Sequence, residues 1–145
     1  MNPDNVIDVA RLIQLAVAPV FLLTAVGTII GVLSIRLGRA VDRSRALEDR
    51  LRQLAPEGQK AVREELNILA RRVRLVYASM TLAVVCALFV GLLIAVAFAD
   101  AFVTLDLSKF IGLLFIGAML AFILALMVFL REIFLAVTSV RSQMR

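Results

Sequence analysis

The stretch LVYASMTLAVVCALFVGLLIAVAFA, Leu75–Ala99, runs for 25 residues without a charged side chain. As an α-helix rising ~1.5 Å per residue, it exceeds the ~30 Å of hydrocarbon that a bilayer presents. Two comparable blocks stand on either side of it, Leu12–Ile35 (24 residues) and Phe110–Leu130 (21 residues). Apolar residues make up 62% of the 145-residue chain, and the mean hydropathy is +0.98. Soluble domains hold about 45–50%. Here the excess lies in unbroken blocks, not at amphipathic spacing, and a β-barrel would show short alternating segments instead. The predicted fold is an all-α membrane protein. Its three transmembrane helices fall at about 12–35, 75–99 and 110–130, in one membrane domain covering residues 1–145.

The first block could be mistaken for a cleaved signal. Met1–Arg11, however, carries Asp4 and Asp8 against Arg11 alone and lacks a positive amino-terminal region. No Ala-x-Ala-like exit follows, so the block reads as a retained anchor. Asp4 or Asn5 is expected to cap its helix, and Pro19 to kink it.

Lys and Arg placement sets orientation. Between the first two blocks, Arg36–Arg74 holds ten arginines and Lys60 against six acids (Asp42, Glu48, Asp49, Glu57, Glu64 and Glu65). The tail adds Arg131, Arg141 and Arg145 against Glu132. The two other segments are acidic or nearly neutral, with Asp4, Asp8 and Arg11 in one and Asp100, Asp106 and Lys109 in the other. The expected topology therefore has the amino terminus outside and both the long loop and the carboxyl terminus inside. Both basic segments fall on one side, as an odd number of spans requires. The net charge of +5 follows from that topology, and such segments attract the anionic headgroups of the cytoplasmic face. Nucleic acid is not an expected partner, because no aromatic–basic interleaving or binding motif is present.

The long loop has a helical pattern of its own. Leu37, Val41, Ser44, Leu47, Leu51 and Leu54 recur near every 3.5 residues, and Val62, Leu66, Leu69, Val73 and Val76 do the same after Ala55-Pro56-Glu57-Gly58. This predicts a cytoplasmic antiparallel helical hairpin over 36–74, with the four-residue segment as its turn. Heptads this short need a packing partner. That partner is either the other arm or a second subunit.

Small residues recur along the spans. Thr24, Gly27, Thr28, Gly31 and Ser34 form a seam in the first, and Ser79, Ala83, Ala87, Gly91, Ala95 and Ala99 a four-residue row in the second. The third has Gly117, Ala121 and Ala125. Close helix approach drives association in lipid and small residues permit it, so self-assembly into a homo-oligomer is expected. A four-residue row drifts ~40° per step around a helix, so its halves can serve different neighbours. The seam in the first span could alternatively line a passive ion pore, with the acids at the outer mouth.

Chemistry is sparse. Histidine is absent, removing the commonest general base and metal ligand. Ser34, Ser79 and Cys86 have no such base to activate them. Paired carboxylates, phosphate loops and HExxH patterns are missing, and no ionisable group lies within the spans for coupled transport. We expect no enzyme activity, metal or cofactor. The densest polar feature is a collar of Arg36, Arg39, Asp42, Arg43, Arg71, Arg72 and Glu132. Glu132 is within reach of the first-span arginines or of Arg71 and Arg72, and the collar would bind anionic headgroups or a protein partner.

Pro19-Val20-Phe21-Leu22-Leu23, with Arg36-Leu37-Gly38-Arg39 and Val41-Asp42-Arg43-Ser44-Arg45, resembles a bacterial family of small three-span membrane proteins classed as a domain of unknown function. The likeness extends over nearly the whole chain. It implies the same three spans and a bacterial inner membrane, and brings no catalytic residues. The function expected is that of a non-catalytic, self-assembling membrane protein with a passive pore as its most concrete activity. The alternative is a scaffold or adaptor whose basic hairpin binds anionic lipid or a protein partner.

Overall fold

The computed structural model describes the backbone of residues 3–100 and 107–143, and side chains at 13, 14, 17–100 and 107–136. The described residues form three α-helices and no strand: α1 (Pro3–Gln53), α2 (Pro56–Asp100) and α3 (Ser108–Gln143). All three are long and apolar enough to cross a membrane, with stretches of mean hydropathy 2.2, 3.0 and 3.0. The polar arms of the long loop are continuous with the first two spans. α1 carries on past Ile35 to Gln53, and α2 begins at Pro56, well before Leu75.

Two local expectations are corrected. α1 starts at Pro3, so Asp4 and Asn5 lie inside its first turn and neither stands before it as a cap. Proline suits a first helical position because its missing N–H would be unpaired there in any case. The break between arms is likewise shorter than the four residues expected. Pro56 already opens α2, and the Gly58 amide donates to the Ala55 carbonyl at 3.0 Å. No glycine has positive φ, so Gly58 is an ordinary residue of a helical first turn. α1 passes through Pro19 uninterrupted.

The chain forms two compact units. The first comprises Met1–Ile30 and Leu82–Ile123. Its interior is made of Pro19, Val26, Ala83, Cys86, Val90, Leu93, Leu114, Ala118 and Ala121. Gly117 lies against the Phe89 ring so closely that an added Cβ would sit 3.3 Å from the ring edge. The second unit comprises Gly31–Thr81 and Leu124–Arg145. Its polar arms contact one another through buried Leu47, Val62 and Leu69, with Ala40, Leu51, Leu54 and Leu66 against them. The two arms thus supply each other's packing partner. Each fully buried side chain of this kind contributes ~1.5–3 kcal/mol, which sustains helices that would be marginal alone.

Candidate functional site

Burial recurs at heptad spacing. In α1 it falls on Pro19, Val26, Leu33 and Leu47, with half-buried Ala40 at the remaining step. In α2 it falls on Val62, Leu69, Val76, Ser79, Ala83, Cys86, Val90 and Leu93. Spacing near 3.5 residues keeps one face turned inward along a long helix. Within the second unit, a charged residue stands on that inward face in each helix: Arg36 three after Leu33, Arg72 three after Leu69, and Glu132 seven after Ala125.

These three meet. Glu132 is 2% exposed, and Arg36 Nη1 donates to its Oε2 at 2.8 Å. Arg72 donates to the other oxygen, Oε1, through Nη2 at 3.1 Å and Nε at 3.3 Å. The Arg36 guanidinium also lies 5.3 Å from the centroid of the Phe129 ring, within cation–π range. A buried carboxylate is tolerable only when its oxygens are paired. Both are, and no buried side-chain N or O among the described residues lacks a partner. Two guanidiniums share one carboxylate, leaving the node with one surplus positive charge. Since Arg36 follows the first apolar block and Glu132 the third, while Arg72 precedes the second, the node joins the polar ends of all three.

Beside it, an open cleft of about 920 Å³ runs along the arms. Arg36, Arg39, Arg43, Arg50 and Arg72 line it, with Glu64 and Glu65 as its acids. Arg43 is spent on Glu65, to which its Nη2 donates. Arg39 is exposed, lines the cleft and makes no ion pair among the described residues. Asp42 and Arg71 are exposed and lie outside the node. Of the collar, then, Arg36, Arg72 and Glu132 come together, Arg39 and Arg43 border them on the cleft, and Asp42 and Arg71 do not join.

The seam on α1 is not used inside the chain. Thr24, Gly27, Thr28, Gly31 and Ser34 are all exposed, and a Cβ at Gly27 or Gly31 would meet nothing within 4 Å. The Thr24 hydroxyl donates to the Val20 carbonyl at 3.2 Å and that of Thr28 to the Thr24 carbonyl at 3.0 Å. The row on α2 drifts as its spacing requires. Ser79 and Ala83 are buried, Ala87 is half-buried, and Gly91, Ala95 and Ala99 are exposed. Ser79 Oγ donates to the Ala125 carbonyl at 2.7 Å, linking α2 to α3. Among the expected outer-mouth acids, Asp100 accepts the Leu107 amide at 3.1 Å. The side chains of Asp4, Asp8 and Asp106 lie outside the described residues, as do those of Arg11, Arg141 and Arg145.

A family model described as protein of unknown function (DUF2721) matches residues 16–142. The chain belongs to that family. The resemblance carried by Pro19–Arg45 is thereby shown, and with three membrane-span helices the chain is an integral membrane protein of a family without assigned function. No curated protein and no solved structure matches it.

Proposed function

We propose that this is a non-catalytic protein of a bacterial inner membrane that assembles with itself through the small-residue face of α1. One observation carries the reading: Thr24, Gly27, Thr28 and Gly31 are exposed, with nothing near either glycine. Lipid tails gain nothing from a glycine-lined surface, whereas a second helix can approach its backbone closely. Gly91, Ala95 and Ala99 offer a further such face on α2. The threonine hydroxyls already bond to their own helix, so they need no water, which favours a packed seam over an ion-conducting pore. The assembly's orientation rests on the arginine count: amino terminus outside, carboxyl terminus and the antiparallel hairpin 36–74 inside. A second reading, a scaffold whose hairpin binds anionic lipid or a protein partner, draws on the arginine-lined cleft.

Single cysteines in a Cys86→Ser background test the assembly. Oxidised in native membranes, Gly31→Cys is expected to give a disulfide-linked dimer, and Leu33→Cys, fully buried on the opposite side of the same turn, is not. Equal yields at the two positions, or none at Gly31, Gly27 and Thr24, would discard the α1 interface. Ion flux from liposomes by the wild type would restore the pore.

A further inference from the structure

The arginine cleft has a definite end at the membrane. Arg36 directly follows the apolar block Leu12–Ile35, and Arg72 lies three residues before Leu75. Arg39 is one helical turn beyond Arg36, whereas Arg50 stands ~21 Å further along the axis. At the membrane end, therefore, the guanidiniums of Arg36, Arg39 and Arg72 line one cleft, next to the charged end of an apolar block, where basic side chains attract anionic headgroups. Their charges are unequally spent. Glu132 neutralises one of the pair formed by Arg36 and Arg72, Glu65 is held by Arg43, and Arg39 makes no ion pair among the described residues. Arg36 and Arg72 stay 34% and 28% exposed, and Arg36 directs only Nη1 at Glu132. Both arginines line the cleft, and neither spends all of its N–H groups on Glu132. Two features separate this arrangement from general basicity: the buried carboxylate fixes two forks in place, and a third, unpaired fork sits on the same cleft.

We infer that the membrane end of this cleft is a binding site for the phosphate of one anionic phospholipid, held by Arg39 together with the N–H groups of Arg36 and Arg72 that Glu132 does not take. Guanidinium and phosphate match in geometry, two N–H donors to two oxygens. The headgroup offsets the surplus charge that Glu132 leaves. A zwitterionic lipid brings its own cation and competes poorly. The inference rests on the scaffold reading and names its ligand; it is independent of whether α1 forms an interface.

Native mass spectrometry of the full chain in neutral detergent tests it. Phosphatidylglycerol is expected to be retained at one molecule per chain while phosphatidylcholine is stripped. Water-soluble glycerol phosphate, which has the same headgroup chemistry without acyl chains, is expected to bind far more weakly. Arg39→Gln is expected to weaken phosphatidylglycerol retention about tenfold, the value of one charge-assisted contact. Arg39 is exposed and makes no ion pair among the described residues, so the variant is expected to fold, and circular dichroism checks this. Arg45→Gln, on a different surface lined by Val41, Ser44 and Arg74, is expected to leave retention unchanged. Equal retention of the two lipids, or equal losses from the Arg39 and Arg45 variants, would overturn the site and leave diffuse attraction. Glycerol phosphate binding as tightly as the lipid would overturn the lipid assignment. The oligomer masses in the same spectra report the α1 interface separately, so the two proposals fail independently.

Discussion

At the scale of single residues, Glu132 decides most. It is an acid placed on an inward helix face at the end of an apolar block, where an unpaired charge would be expelled. It stays because Arg36 and Arg72 each occupy the corresponding inward step of their own helices and reach different oxygens. Its worth lies in what removal would expose. Glu132→Gln would leave two guanidiniums facing one neutral amide. Breaking a buried ion pair costs ~3–5 kcal/mol, an upper limit here because both arginines keep about a third of their surface. The expected outcome is a clear fall in the thermal or denaturant unfolding midpoint in detergent. Arg71→Gln, exposed and one residue from Arg72, is expected to stay within ~0.5 kcal/mol of wild type. Matching behaviour of the two variants would remove the node from the list of stabilising contacts. Ser79 works in the same register with a neutral bond, its hydroxyl meeting the Ala125 carbonyl where the sequence offered a nucleophile without a base.

At the scale of helices, much of the fold was legible because hydrophobic blocks and 3.5-residue spacing are direct consequences of burial. The three helices, the apolar faces of the two arms at Leu47, Leu51, Leu54, Val62, Leu66 and Leu69, and the drift of the row from Ser79 to Ala99 were all written there, with the arms' partner left open between each other and a second subunit. Two things were not. Small residues mark where helices can approach, not whether the chain's own helices do, so Gly31 and Gly91 look identical to Gly117 in sequence. The node was half legible: Glu132 was expected to meet an arginine, but choosing Arg72 over Arg71 needed the inward register of Leu69 and Val76. The glycines give a sharp comparison. An added Cβ at Gly117 meets the Phe89 ring at 3.3 Å, while one at Gly91 meets nothing within 4 Å. Gly117→Leu is therefore expected to lower the unfolding midpoint by an overpacking cost of ~1–3 kcal/mol. Gly91→Leu is expected to leave the chain's own stability near wild type. Equal destabilisation by the two would contradict this packing.

At the scale of the whole chain, the three helices leave most of their apolar surface outward. Only 17–22% of the residues in their most apolar stretches are buried within the chain, so lipid or other copies must cover the rest. The node adds a constraint that composition lacks: Arg36, Arg72 and Glu132 touch, so the polar ends of the three apolar blocks share one side of the bilayer. Which side that is belongs to the proposed topology, for which the eleven basic residues of Arg36–Arg74, against Asp100, Asp106 and Lys109 in the other connection, argue the cytoplasm. That argument is tested by single cysteines in a Cys86→Ser background, probed with an impermeant maleimide on intact cells or right-side-out vesicles. Lys60→Cys, near the start of α2 and exposed, is expected to label only after the membrane is opened. Ser108→Cys, at the start of α3 and exposed, is expected to label from outside. The reversed pattern would invert the orientation and place the arginine cleft on the outer face, away from the anionic leaflet. Labelling of both positions from one side would be more damaging, because α2 joins them with a single crossing, and it would break the three-span topology itself.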